Sequence, residues 1–250
     1  DESARRVSDR AVRLAPNTPG ASEDPELSGR LALRRGEDAL ATGDLAAAER
    51  AFTEARASGA SGRVREEAQF MVGETSFYEG KFDSAAANYE AFAGAYPTSR
   101  YTNDALERMY LIESGDGGAV AGLAELAKAL RLARAGASEE ALKAAGAAEA
   151  ASLNGPVWAH AGLLTASLLE ARGRLKDAAA KALSVAETRP EDRLAALARR
   201  KAGDLYRASG RETLALAQYE EMLVRYPRSW LAPETRRLVQ ELRARAGATP

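Results

Sequence analysis

The sequence predicts an all-α solenoid of stacked helical hairpins, and three observations predict it. A glycine recurs at Gly43, Gly80, Gly136, Gly173 and Gly210, at intervals of 37 residues on either side of one interval of 56. Each is followed five residues later by an alanine, namely Ala48, Ala85, Ala141, Ala178 and Ala215. Seven residues before each stands another small residue, Gly36, Gly73, Ala129, Ala166 or Gly203, two helical turns away on the same side. A fixed period of roughly 20–50 residues marks a stack of like units. Small residues at helical spacing let two helix backbones approach closely.

In chain order, residues 1–28 carry Pro16, Pro19 and Pro25 among Asn, Ser, Gly and acidic residues. They read as a flexible linker or N-terminal extension in which Val7, Ala11 and Leu14 could stripe one short helix. Helices are expected at 29–42, 45–58, 62–79, 82–95, 100–114, 119–135, 138–152, 157–172, 175–188, 192–209, 212–225 and 230–246, with no strand. Asp44, Asp83 and Ser138 stand where N-caps belong, and Pro156 suits a first helical turn. Nine residues after the repeat glycine, Phe52, Tyr89, Ala145, Ala182 and Tyr219 share a stripe with the alanine four places earlier, and that stripe closes each hairpin.

The long interval exceeds one repeat by about one helix and a turn. It leaves helix 100–114, with Tyr101, Ala105, Met109 and Leu111 as its apolar positions, without a partner. A decayed repeat that lost its second helix is preferred over a bend that builds a binding surface. The run Gly115-Asp116-Gly117-Gly118 then makes the expected hinge, dividing a solenoid of 29–250 into lobes 29–114 and 119–246. The last helix, apolar at Leu231, Leu238 and Leu242 and polar at Arg236, Arg237, Glu241 and Arg243, is expected to cap the stack.

Small residues at two places in the first helix and turn, a small residue and an aromatic in the second, and a closing Pro97, Pro190 or Pro227 together resemble the tetratricopeptide-repeat (TPR) family. The match is strongest in 66–99 and 196–229, good in 29–62, and weak in 122–155, where alanines replace the aromatic and the proline is missing. The resemblance implies a right-handed α-α superhelix of about twelve helices. It also implies a concave groove lined by the first helix of each hairpin, which receives a protein or peptide segment. Carried onto this chain, the groove takes Arg30, Leu33, Glu37, Glu67, Phe70, Glu74, Phe77 and Tyr78 from one lobe and His160, Leu163, Ser167, Arg200, Asp204 and Arg207 from the other. The partner-binding candidates are Phe70, Glu74, Phe77, Tyr78, His160, Arg200, Asp204 and Arg207. For Phe70 and Phe77 burial ranks slightly ahead of ligand contact, and Tyr78 ranks as the better contact. Trp158 and Trp230, both near helix starts, read as core residues sealing hairpin joints.

Two segments, Ala95-Tyr96-Pro97-Thr98-Ser99 and Arg225-Tyr226-Pro227-Arg228-Ser229, look like a Tyr-Pro-x-Ser joint of extracytoplasmic bacterial members of that family. Those members include outer-membrane assembly lipoproteins and the TolA-binding coordinator of the Tol-Pal system. The joint also has a plain structural reading, since proline stops a helix and Ser99 or Ser229 can accept from the next helix's free amides.

Composition narrows the function. The 35 basic residues balance 36 acidic ones, so no charge excess argues for nucleic acid or an anionic membrane. Zero cysteines exclude disulfides, thiolate metal sites and cysteine nucleophiles. No apolar run reaches the roughly 18–20 residues of a membrane span. His160 is the one histidine and has no second ligand or nucleophile at motif spacing; acidic residues such as Glu107 beside Arg108, or Glu220 beside Glu221, read as solvated helix faces. No cofactor is expected. The chain starts at Asp1, which suggests a processed or trimmed product. The expectation is a non-enzymatic interaction scaffold or adaptor in a bacterial envelope-associated assembly, periplasmic or otherwise extracytoplasmic. The alternatives are an accessory superhelical domain of a larger, murein-processing type of enzyme, and a cytoplasmic regulatory adaptor.

Overall fold

A computed structural model describes residues 24–115, 120–152 and 155–247. Among them are twelve helices and no strand: α1 (Pro25–Thr42), α2 (Leu45–Ala57), α3 (Gly62–Tyr78), α4 (Phe82–Ala95), α5 (Thr102–Gly115), α6 (Val120–Arg134), α7 (Ser138–Ala151), α8 (Pro156–Ala171), α9 (Leu175–Thr188), α10 (Ala195–Ala208), α11 (Glu212–Arg225) and α12 (Ala232–Gly247). Every expected helix is present. α1 begins at Pro25, four residues inside the expected linker, because the Asp24 carboxylate accepts from the amides of Glu26 at 2.9 Å and Leu27 at 3.3 Å. The Val7, Ala11 and Leu14 stripe and the hinge residues Asp116, Gly117 and Gly118 lie outside the described residues.

The recurring glycine is explained by its backbone. Gly43, Gly80, Gly136, Gly173 and Gly210 have φ between 72° and 83°, the left-handed region that a side chain disfavours. In all five turns the glycine amide donates three residues back, as Gly80 does to Phe77 at 3.1 Å. The next amide donates five residues back, as Lys81 does to Ser76 at 3.0 Å and Arg211 to Tyr206 at 2.9 Å. This double closure ends the first helix and restarts the chain as the second. Asp44 caps α2 as expected, accepting from Ala47 at 2.9 Å. Asp83 and Ser138 do not cap: they lie within the first turns of α4 and α7, whose cap positions are Lys81 and Ala137.

The small residue before each glycine has a specific neighbour. A Cβ on Gly36 would meet Phe52 Cδ1 at 2.6 Å, and one on Gly73 would meet Tyr89 Cε1 at 2.9 Å. Gly203 faces Tyr219 in the same way. Where the second helix carries alanine, the first carries alanine too, at Ala129 with Ala145 and Ala166 with Ala182, all fully buried. Ring volume on one helix is thus matched by lost volume on the other.

The chain divides into two compact units, Asp1–Met109 and Tyr110–Pro250. The division falls within α5, ahead of the glycine run at which the lobes were expected to part. In the first unit α1 to α4 pack each on the next, and α1 also on α3. In the second, α6 to α12 do the same, with α6 also on α8. α5 packs on α3, with Arg108 on Glu74 and, just ahead of the helix, Tyr101 on Phe70. α12 caps the second unit: Leu238, Val239 and Leu242 close over Ala215 and Tyr219, and Arg243 on its outer side reaches Glu220 at 2.7 Å. Each unit is a stack of helical hairpins.

Candidate functional site

The expected groove residues of the first unit form a core. Phe70 stacks on Tyr101 with centroids 4.6 Å apart and rings 11° from parallel, and it also touches Tyr89 and Phe92. Phe77 is fully buried against Phe82 and Tyr78. Glu74, 3 % exposed, is the centre of a polar cluster. Its carboxylate accepts from the hydroxyls of Tyr89 at 2.6 Å and Tyr78 at 2.7 Å, and from Arg108 Nε at 2.9 Å. Burial works to raise the Glu74 pKa, but the Arg108 charge and these hydrogen bonds outweigh it and hold the carboxyl below its usual range. Burial and the Glu74 charge push the Tyr89 phenol well above its usual value. For Arg108, too, desolvation is outweighed by the Glu74 charge, so its pKa lies above the ordinary arginine value.

Tyr78 is therefore not an open contact residue. Its hydroxyl is spent on Glu74 and its ring is buried. Arg108, read from sequence as part of a solvated face, is a structural cation reaching from α5 into α3 and lying 5.2 Å from the Phe77 ring.

The second unit repeats the motif. Asp204, six residues before its turn glycine as Glu74 is, accepts from the Tyr219 hydroxyl at 2.6 Å and from Arg200 Nε at 3.1 Å. Arg200 is buried and continues to Thr235 at 3.2 Å and Glu234 at 3.4 Å, tying α10 to α12. Burial, then Asp204, raises the Tyr219 phenol. Of the remaining candidates, His160 is half-buried and Arg207 is exposed. Five of the eight candidates, Phe70, Glu74, Phe77, Tyr78 and Arg200, are thus buried in their own units, and Asp204 is half-buried. Among the wider first-helix set, Arg30 and Ser167 are exposed, while Leu33, Glu37, Glu67 and Leu163 are half-buried.

Sequence reasoning missed the tyrosine and carboxylate pairs, although a signal existed. Glu74 and Tyr89, like Asp204 and Tyr219, are separated by 15 residues at matching repeat positions, whereas the repeat with Phe52 carries no hydroxyl.

Two surface depressions lie at the Tyr-Pro-x-Ser joints. In the first unit, a depression is lined by Arg63, Glu66 and Tyr96 to Tyr101. Ser99 donates to Glu66 there at 2.5 Å and accepts from the Tyr101 amide at 3.0 Å. In the second, a cleft is lined by Pro190 to Arg193, Ala196, Leu197 and Arg225 to Leu231. Ser229 accepts from Leu231 at 3.3 Å, and the Tyr226 hydroxyl donates to the Pro190 carbonyl at 2.8 Å. Both serines thus accept from the amides ahead, as expected. Trp158 packs, half-buried, beside Val185 and Ala159, but Trp230 is 81 % exposed and no core residue.

Among the described residues, no group of three or more His, Cys, Asp or Glu is placed to hold a metal ion, and no helix is long and apolar enough to cross a membrane.

No family model matches the chain, and no curated protein matches it. Among solved structures, the chain is similar to the crystal structure of a thermophilic TPR protein in Thermus thermophilus, at 20% identity and a TM-score of 0.38, over 86% of this chain and 98% of that one.

Proposed function

We propose that this chain is a protein-interaction scaffold or adaptor, acting without catalysis in an extracytoplasmic, envelope-associated bacterial assembly. The observation that carries the interaction role is the division of labour within each hairpin. The carboxylate clusters of buried Glu74 and half-buried Asp204 and the glycine and ring pairs are used up in joining helices. What the first helices leave at the surface, Arg30 on α1, Ser167 on α8 and Arg207 on α10, is held on rigid supports. Fixed side chains on a rigid scaffold lose little entropy on binding, which favours recognition of a partner segment. Arginine suits such a contact because its planar cation combines directed hydrogen bonds with a large contact area. The envelope setting rests on the two Tyr-Pro-x-Ser joints and their resemblance to extracytoplasmic TPR proteins.

Crosslinking of the full chain in bacterial cells, followed by mass spectrometry, tests the proposal. The expected result is one or a few envelope proteins linked near Ser167 and Arg207, with links reduced by Arg207→Ala. Links insensitive to Arg207→Ala and scattered over the surface would argue against it.

A further inference from the structure

The two joints are copies of one local design, and they differ in a way that opens the second. Glu66, whose carboxylate crosses the first depression to Ser99, is replaced at the matching place by Ala196. Tyr101, which stacks on Phe70 in the first, is replaced by Leu231, and Arg100 by Trp230. The first depression has a volume of about 330 Å³ and the second about 640 Å³. The larger one carries an exposed apolar rim, with Trp230 at 81 % and Leu197 at 39 % exposure. A tryptophan that exposed contributes little to folding, and Trp beside Arg is the composition of binding hot spots.

The charge around this rim is predominantly positive. Arg193, Arg225 and Arg228 line it and are exposed. Arg193 lies over the Tyr110 ring at 4.0 Å, and Arg225 is paired with Glu221. Arg199 on α10 is buried and donates to Gln218 at 2.9 Å, its Nε has no hydrogen-bond partner, and its charge is felt at Glu221. Its charge is felt at Tyr226 in the cleft wall. The acidic groups near the cleft are Glu191, which is exposed, Asp192, which is held by Arg189 at 3.0 Å and by the Leu194 amide, Glu221, which is paired with Arg225, and Glu187, whose charge is felt at Arg225. The exposed guanidinium groups of the rim favour an anionic segment arriving from solution.

We infer that the cleft between Leu197 and Trp230 docks an extended acidic segment of a partner protein. An apolar side chain of the segment lies against the two rim residues, and its carboxylates meet Arg193, Arg225 and Arg228. This deepens the interaction role proposed above and rests on it, but it names a surface apart from Ser167 and Arg207.

The test uses the full chain with Trp158→Phe, so that Trp230 is the remaining tryptophan. It is titrated with a synthetic Asp-Glu-Leu-Pro-Asp-Glu peptide and with the same peptide carrying lysine at each acidic place. A saturable change in Trp230 emission with the acidic peptide alone is expected, with a midpoint below about 1 mM. Arg228→Glu and Leu197→Ser should each weaken it about tenfold, and high salt should weaken it further. Both sites are exposed, and unchanged melting temperatures show that the fold survives. Equal responses to the two peptides, or none, would overturn the inference. So would a self-association, seen by sedimentation, that Trp230→Ala abolishes, since the occupant would then be a second copy. Cellular crosslinks that persist at Ser167 and Arg207 while the peptide fails would remove the cleft and leave the scaffold role standing.

Discussion

Gly203 and Tyr219 occupy each other's space: a Cβ on the glycine would stand 2.7 Å from Cδ1 of the ring. Gly203→Ala should therefore destabilise by about 1–3 kcal/mol through overpacking. In a Tyr219→Ala background the same change should cost much less, because Ala129 with Ala145 and Ala166 with Ala182 already form that pair elsewhere. A urea double-mutant cycle measures the coupling. Equal costs in both backgrounds would mean that the ring does not set the spacing of α10 and α11.

The turn glycines should fail for a different reason. Nothing stands within 4 Å of a Cβ on Gly173, yet its φ is 72°. Gly173→Ala should cost about 1–2 kcal/mol from backbone strain alone, and no substitution on α9 should relieve it. Chemical denaturation of Gly173→Ala beside Gly146→Ala, a helical glycine with equally open surroundings, separates strain from crowding. The Gly146 change should be neutral or stabilising.

Removing the Glu74 charge should be among the most costly changes in the first unit. Glu74→Gln leaves Arg108 buried without its counter-charge, a loss of about 3–5 kcal/mol. Glu54→Gln, which breaks the exposed pair with Arg35, should change stability by less than about 1 kcal/mol. Urea midpoints compare the two, and similar shifts would show that burial of the cluster is not what matters.

The same carboxylate makes a pH prediction. The folded Glu74 pKa lies below its unfolded value, so its contribution is complete above the unfolded value of about 4.3 and fades as pH falls through the lower folded one. The stability gap between the wild type and Glu74→Gln should be constant from neutral pH to about 5 and shrink below about 4. Asp104, raised chiefly by burial, works in the opposite sense, so the comparison belongs in an Asp104→Asn background. A gap that widens on acidification would contradict the paired geometry.

The fold was legible because its punctuation depends on backbone chemistry. Only glycine readily adopts the conformation of Gly43, Gly80, Gly136, Gly173 and Gly210, so a short turn writes itself into the chain. The small residue seven places earlier was legible for a similar reason, since Phe52, Tyr89 and Tyr219 leave no room for more. The candidate groove was much less legible. Phe70, Phe77 and Tyr78 sit on a first helix that is buried over most of its circumference, and periodicity does not say which neighbour covers a given stripe. Arg108 was misread because its partner lies 34 residues away on another helix. Trp230 was misread because a position near a helix start does not fix the direction of the ring.

The most direct test of the interaction role places a photo-crosslinking amino acid at exposed position 167 of α8, which leaves Arg207 in place, and at exposed position 50 of α2, in the full chain expressed in bacterial cells. A discrete protein adduct at position 167, absent at position 50 and competed by excess unlabelled chain but not by chain carrying Arg207→Ala, is the predicted result. The same adduct at both positions, or adducts at neither while the chain is folded and abundant, would contradict a binding face built on the first helices.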